Sequence, residues 1–438
     1  MKVSAKKVKS SLNKHILADG LDLIMDVEKS SGSWLVDQRD GSKHLDMFSM
    51  YASGSVGYNH PSIIEHRELL GTISQNKPTL SDLYNVFYAD FVQTFSRLAI
   101  PRYLPHTFFI EGGSLAVENA LKIAFDWKVR KNLRKSNSRK GSQIIHFKQA
   151  FHGRSGYTLS LTNTNDPRKT MYFPKFDWPR IDNPKLYFPI SENILQEVKI
   201  KEKAAIEQIK EALNNNPDDI AAIIIEPIQG EGGDCHFRDK FFIELRNLCD
   251  ENEMLLIMDE VQTGIGITGE WWAHQHYSVK PDIISFGKKA QVCGALASRR
   301  IEEVNDHVFS ESSRINSTWG GNLTDMVRFK IILEIIEKEN LLDNVRRLGK
   351  HLLEKLEYLS TKFPALVTNS RGLGLFAAFD LPSEAERDKL WERLMKNKLL
   401  ILPSGDRSIR FRPHLNVKEE ELDYAIDIIE KSLKESLN

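Results

Sequence analysis

Through the middle of the chain, short continuously apolar runs alternate with longer stretches of helical periodicity. The runs fall at 107–110, 143–147, 221–227, 254–261, 282–287 and 295–298. Several are rich in Ile and lack alternating polar positions, as strands covered on both faces do. Between them, apolar residues recur at helical spacing over 114–134, 206–214 and 240–252. Strands alternating with helices predict an open, mainly parallel α/β sheet.

The rhythm breaks at 173–190, where Pro174, Pro179, Pro184 and Pro189 stand among aromatics. Proline fits neither a helix interior nor a central strand, so this segment is predicted to be an ordered excursion packed by its own side chains. Beyond Gly321 the pattern changes to long helices at 324–339 and 344–363, with short strands near 374–380, 399–403 and 410–413. A last helix is predicted at 418–434. These elements read as a smaller α+β domain, and strands at 34–37 and 43–48 are expected to pack with it. The division is then 1–70 as an N-terminal segment, 71–320 as the large α/β domain and 321–438 as the small domain.

Charge adds little to this picture. The 438 residues carry 60 basic and 60 acidic side chains. A balanced chain has no overall attraction to nucleic acid or an anionic membrane. The basic run at 128–140 reads as a solvated loop. No apolar run approaches a membrane span, and no apolar signal core follows the basic N-terminus. Cys235, Cys249 and Cys293 match no zinc spacing and no disulfide framework. A cytoplasmic protein with reduced thiols and no metal is expected. His274 and His276 are too close in sequence to share a helix face and read as surface residues. No dinucleotide, P-loop, zinc-protease or nucleophile-elbow motif is present.

Three features carry candidate chemistry. Asp259 ends one apolar run, at the strand end where α/β sheets bind ligands. Lys288 ends the next, and a lysine in a partly dry pocket can act as a Schiff-base nucleophile. Gly112-Gly113-Ser114 follows a strand and opens a helix, whose exposed N–H groups and dipole form an anion site. Each alone has an ordinary structural explanation; their combination is informative.

Asp259-Glu260-Val261-Gln262-Thr263-Gly264, followed by Pro281-Asp282 and Gly287-Lys288, resembles the signature of class III, or ω-amino-acid, aminotransferases. In that family the Schiff-base lysine lies six residues after the Pro-Asp aspartate, which selects Lys288 over Lys289. The resemblance extends from Gly57-Tyr58-Asn59-His60-Pro61 to Ile409-Arg410-Phe411-Arg412-Pro413 and so covers nearly the whole chain. Leu115 stands where the family more often has Glu, and Lys289-Ala290 where it usually has glycines.

The resemblance implies fold type I, pyridoxal 5'-phosphate as cofactor and a homodimer with shared active sites. It implies that Lys288 carries the cofactor, Asp259 pairs with its ring nitrogen and Phe151 stacks on the ring. Gly113 and Ser114 would bind the phosphate, helped by Thr318 from the neighbouring subunit, and Gln262 the phenolic oxygen. Arg410 would hold the α-carboxylate of 2-oxoglutarate and Arg154 the carboxylate at the donor's other end. Glu231 would neutralise Arg410 when an amine donor enters and swing away for the oxo acid.

The stretches 150–163, 173–182 and 286–294 are similar to bacterial members of the family that act on the ε-amino group of L-lysine. Lysine and ornithine differ by one methylene, worth about 1–3 kcal/mol in a pocket, so another ω-amine donor stays open. A mutase or decarboxylase using the same cofactor and lysine also stays open.

Overall fold

The computed structural model describes residues 3–436. Strands β1 (Trp34–Val36) and β2 (Lys43–Asp46) form an antiparallel hairpin, with Trp34 opposite Leu45. A seven-stranded sheet follows, built from β3 (His106–Ile110), β4 (Gln143–Phe147), β5 (Arg180–Ile181), β6 (Ile220–Ile225), β7 (Leu255–Asp259), β8 (Ile283–Phe286) and β9 (Cys293–Ala297). Its order is β3-β9-β8-β7-β6-β4-β5. Only β9 runs against its neighbours, and the pairs from β8 through β5 are parallel.

Successive residues of the central strands enter separate cores. Ile223, Ile225, Leu256, Met258 and Ile284 join one cluster, while Ala222, Ile224, Leu255, Ile257 and Ile283 join another. The helix Gly113–Ser136 supplies Val117, Leu121 and Trp127 to the second, and the helix Asp239–Glu251 supplies Phe241, Phe242 and Leu245 to the first. A strand with no solvent face has no polar alternate positions, which explains the uninterrupted apolar runs.

The last five strands are β10 (Thr368–Leu373), β11 (Phe376–Asp380), β12 (Leu399–Leu400), β13 (Leu402–Ser404) and β14 (Ser408–Phe411). Four of them form an antiparallel sheet ordered β10-β11-β14-β13, while β12 pairs in parallel with β2. The single strand predicted at 399–403 is therefore two strands in different sheets, with Ile401 between them. Both halves are apolar, so periodicity could not reveal the change of sheet.

Three further expectations differ from the structure. The basic run is not a solvated loop over its first half: the helix Gly113–Ser136 continues through it. Lys128 is buried and donates to the Glu253 carbonyl at 3.0 Å, just past the end of another helix, and Asn132 donates to the Asp218 carbonyl at 2.7 Å. Carbonyls beyond a helix end suit an ammonium, although burial lowers the Lys128 pKa. The helix predicted at 206–214 starts at Glu192, where the Ser191 hydroxyl accepts from the Ile194 N–H. Over its first turns only Val198 is buried, so apolar spacing marks that part of the helix weakly. His274 is not a surface residue; it is 1% exposed, with Nδ1 2.9 Å from Glu260 Oε1 and Nε2 2.6 Å from the Tyr103 hydroxyl. The proline-rich excursion does pack on aromatics, with Phe176 and Trp178 stacked at 4.9 Å.

Glu260 closes the loop after β7. Its carboxylate accepts from the backbone N–H of Ala273 at 3.0 Å and of His274 at 2.8 Å, as well as from Thr263. Glu260→Ala would leave these buried donors unmatched and is expected to cost about 3 kcal/mol, read as a lower urea midpoint. Glu260→Gln keeps one acceptor and should lose less; equal midpoints for both variants would contradict this account.

Candidate active site

β7 ends at Asp259, β8 leads into Gly287-Lys288, and β3 leads through Gly112 into the helix Gly113–Ser136. These carboxyl ends lie on one edge of the sheet, where ligands of open α/β sheets bind. A cavity of about 310 Å³ occupies it.

Asp259 lies on the cavity wall, 4% exposed. Its Oδ1 accepts from the Val261 N–H at 3.0 Å and the Ser285 hydroxyl at 3.1 Å. Its Oδ2 is 2.8 Å from His152 Nδ1. His152 is buried and its Nε2 has no partner. Sequence reasoning assigned His152 no role; the only available signal was its place between Phe151 and Gly153.

Lys288 borders the same cavity with a left-handed backbone, φ 51°. Burial lowers its amine pKa to about 8, helped by the positive charge of Arg410 and opposed by Asp259 and Glu226. Lys289 points elsewhere, with Nζ donating to the Ala52 carbonyl at 2.9 Å.

The helix Gly113–Ser136 begins without a side-chain cap, so its first N–H groups are available to an anion. The Ser114 hydroxyl lies 2.5 Å from that of Ser155 and 2.7 Å from that of Thr158. Gly153 packs so closely that a Cβ would sit 2.3 Å from Ser114 Oγ. Phe151 and Val261 add apolar wall.

Glu226, also on the wall, ties two loops together: it accepts from the Phe151 N–H at 2.9 Å and the Gly230 N–H at 3.0 Å. Burial raises its pKa to about 7. Gln262 borders the cavity, and its Oε1 accepts from Arg412 Nε at 3.0 Å. Arg412 is itself held by Asp234 at 2.7 and 2.8 Å.

Arg154 is solvent-exposed on the cavity rim. Glu231 also lines the cavity, but its Oε1 takes the Thr164 hydroxyl at 2.8 Å and Lys169 Nζ at 2.6 Å. It is not paired with Arg410. Arg410 is buried on β14 and its Nε and Nη1 have no partner. Thr318 is exposed and is not on this wall. The fold thus gathers every predicted site residue around one cavity except Arg410 and Thr318, which are not on its wall.

The aminotransferase class-III family profile matches residues 17–433. The chain belongs to the class III aminotransferases. Among curated relatives it is similar to L-lysine-epsilon aminotransferase of Mycobacterium tuberculosis, 50% identical over 98% of this chain and 95% of the relative. The enzyme of the same name from Streptomyces clavuligerus is 47% identical, covering 98% and 94%. The solved structure of lysine aminotransferase from M. tuberculosis superposes with a TM-score of 0.96 at 49% identity, covering 99% of each chain.

As a class III aminotransferase, the chain is a fold-type-I pyridoxal phosphate enzyme. The residues fit that group. A buried carboxylate, a lysine with a lowered pKa, an uncapped helix start and an aromatic wall surround one cavity. Bound, pyridoxal phosphate supplies the electron sink for amino transfer.

Two outcomes follow from this geometry. Capture of pyridoxal phosphate by apoenzyme should accelerate with pH and level off above about 8, not near 10.5. Arg410→Gln removes a positive neighbour and should move that midpoint upward; an unchanged midpoint, followed by absorbance, would refute the charge argument. Gly153→Ala should weaken cofactor binding by about 1–3 kcal/mol through overpacking against Ser114. Spectroscopic titration of cofactor into apoenzyme reads this directly, and an unaltered Kd would show that the close approach is not needed.

Proposed function

We propose that this enzyme moves the ε-amino group of L-lysine to 2-oxoglutarate. The products are glutamate and 2-aminoadipate 6-semialdehyde, which cyclises to a piperideine carboxylate. The observation that carries this reading is full-length identity of 46–50% to proteins named L-lysine-epsilon aminotransferase, against 32% to the mitochondrial 4-aminobutyrate enzyme of Mus musculus.

In this reading Lys288 would hold the cofactor and, once free, would accept and return the proton of the amine-bearing carbon. Its pKa near 8 suits both directions of transfer. Asp259, held in place by Ser285, Val261 and His152, would meet the ring nitrogen with a fixed carboxylate. Phe151 would stack on the ring, Gln262 would bind the phenolic oxygen, and Gly113 and Ser114 would hold the phosphate. Arg154 takes the α-carboxylate of lysine. Arg410 takes the α-carboxylate of 2-oxoglutarate, a role supported by its two unpartnered nitrogens. Glu231 covers Arg410 when lysine is the guest.

The exposure of Thr318, away from its own chain's cavity, supports a homodimer in which it completes the neighbour's phosphate site. The pairing of β12 with β2 supports packing of 1–70 with the small domain, 321–438, beside a large domain at 71–320. Among the described residues no helix is long and apolar enough to cross a membrane, and all three cysteines are buried and unpaired. Buried thiols suit a reducing cytoplasm.

Purified holoenzyme given L-lysine and 2-oxoglutarate should form glutamate together with the o-aminobenzaldehyde adduct of the cyclic imine. Ornithine in place of lysine should give far less glutamate, and Lys288→Ala should give none with either donor. Preference for ornithine would move the substrate within the family. Absence of glutamate from any ω-amine would overturn the reading.

A further inference from the structure

Glu231 is restrained in two ways. Its backbone carbonyl accepts from the Gly405 N–H at 2.9 Å, which anchors the residue to the turn between β13 and β14. Its side chain is drawn to one side by Lys169 and Thr164, both on the same carboxylate oxygen. The Lys169 and Glu231 side chains are 33% and 22% exposed, so their attraction is less screened than that of a surface pair. Lys169 ends the turn Pro167–Lys169, which Asp166 caps by accepting from the Arg168 N–H at 3.1 Å. The ammonium is thus presented from a short braced turn.

Arg410 is in the opposite condition, with buried Nε and Nη1 unmatched. An unpaired buried guanidinium attracts any carboxylate within reach. Two carboxylates compete for it in the function proposed above: that of Glu231 and that of the incoming dicarboxylate. The counter-charge seated on Glu231 is Lys169.

We propose that Lys169 is a positioning residue that latches Glu231 away from Arg410 and thereby favours the dicarboxylate acceptor over the amine donor. This rests on the reading in which Arg410 receives 2-oxoglutarate. With the latch closed, Arg410 stands open to a dicarboxylate. With Lys169 removed, Glu231 covers Arg410 more of the time, and the dicarboxylate must displace it. For a partly exposed pair the expected weakening of dicarboxylate binding is about two- to five-fold.

The test uses holoenzyme and glutarate, a dicarboxylate that cannot accept an amino group. Its Kd is measured by calorimetry for the parent enzyme, Lys169→Met, Lys169→Arg, Arg410→Gln, Glu231→Gln and the pair Lys169→Met/Glu231→Gln. Single-turnover reactions with lysine and with 2-oxoglutarate are followed in parallel. Lys169→Met should raise the glutarate Kd about two- to five-fold and slow only the oxoglutarate half-reaction at limiting substrate. Lys169→Arg should restore parent values. Against Glu231→Gln, the further change Lys169→Met should have no effect, because the latch has no charge to hold.

Persistence of the Lys169→Met effect in the Glu231→Gln background would mean that Lys169 meets the dicarboxylate directly, and would overturn the latch. Equal loss in both half-reactions, or no change in Kd, would overturn it too. If Arg410→Gln leaves glutarate binding intact, the acceptor reading falls and the latch with it. If Arg410→Gln weakens binding while Lys169→Met does not, only the latch falls.

Discussion

The hydrogen bonds that converge on the Asp259 carboxylate constrain the site more than any other contact. Val261 N–H and the Ser285 hydroxyl hold one oxygen, and His152 meets the other. These partners come from the loop after β7, the adjacent strand β8 and the loop after β4. The carboxylate can be held this way only if β7 and β8 are in register and the loop at His152 folds back over them. Each partner also carries a neighbour to the cavity: Val261 brings Gln262, β8 brings Lys288, and His152 brings Phe151 and Arg154.

Around this anchor the protein buries a concentration of positive charge. Arg410 and Arg412 act electrostatically on Lys288, Arg412 and Lys288 act on Lys289, and Arg410 acts on Arg412. Arg412 is neutralised by Asp234 and lies over the Phe376 ring, 3.2 Å from its centroid. Lys289 has only a backbone carbonyl, and burial, Arg412 and Lys288 together drive its pKa far down. Arg410 is left with unmatched donors. A field of this sign lowers the Lys288 pKa and prepares the cavity for anionic substrates. Asp234, paired with Arg412, and Asp259 and Glu226, acting on Lys288, offset part of the cost of desolvating it.

The backbone is strained nearby. Ser49, Met50, Tyr51 and Ala52 all have positive φ, a left-handed turn without glycine. Such a conformation costs roughly 1–2 kcal/mol per residue. Tertiary contacts hold it: Asp46 accepts from the Ser49 N–H at 2.8 Å, the Ser49 hydroxyl donates to the Arg412 carbonyl at 2.5 Å, and Lys289 donates to Ala52. The loop that carries Lys288 is therefore pinned to the N-terminal segment through its next residue.

The sequence by itself determined the sheet, because strands with no solvent face leave uninterrupted apolar runs, and it placed Asp259, Lys288 and the Gly113 turn at strand ends, because a strand end is a local property. The resemblance to class III aminotransferases, not the local pattern, separated Lys288 from Lys289 by counting from Asp282. Only the tertiary structure decided what these residues meet. His152 on Asp259, Glu226 between two loops, and Lys169 rather than Arg410 on Glu231 are contacts between residues 62 to 107 positions apart. No periodicity reaches that far. The burial of Lys128 and His274, and the division of 399–403 between two sheets, were hidden for the same reason: partners supplied by distant segments decide whether a polar group can leave water and which strand an apolar run will join.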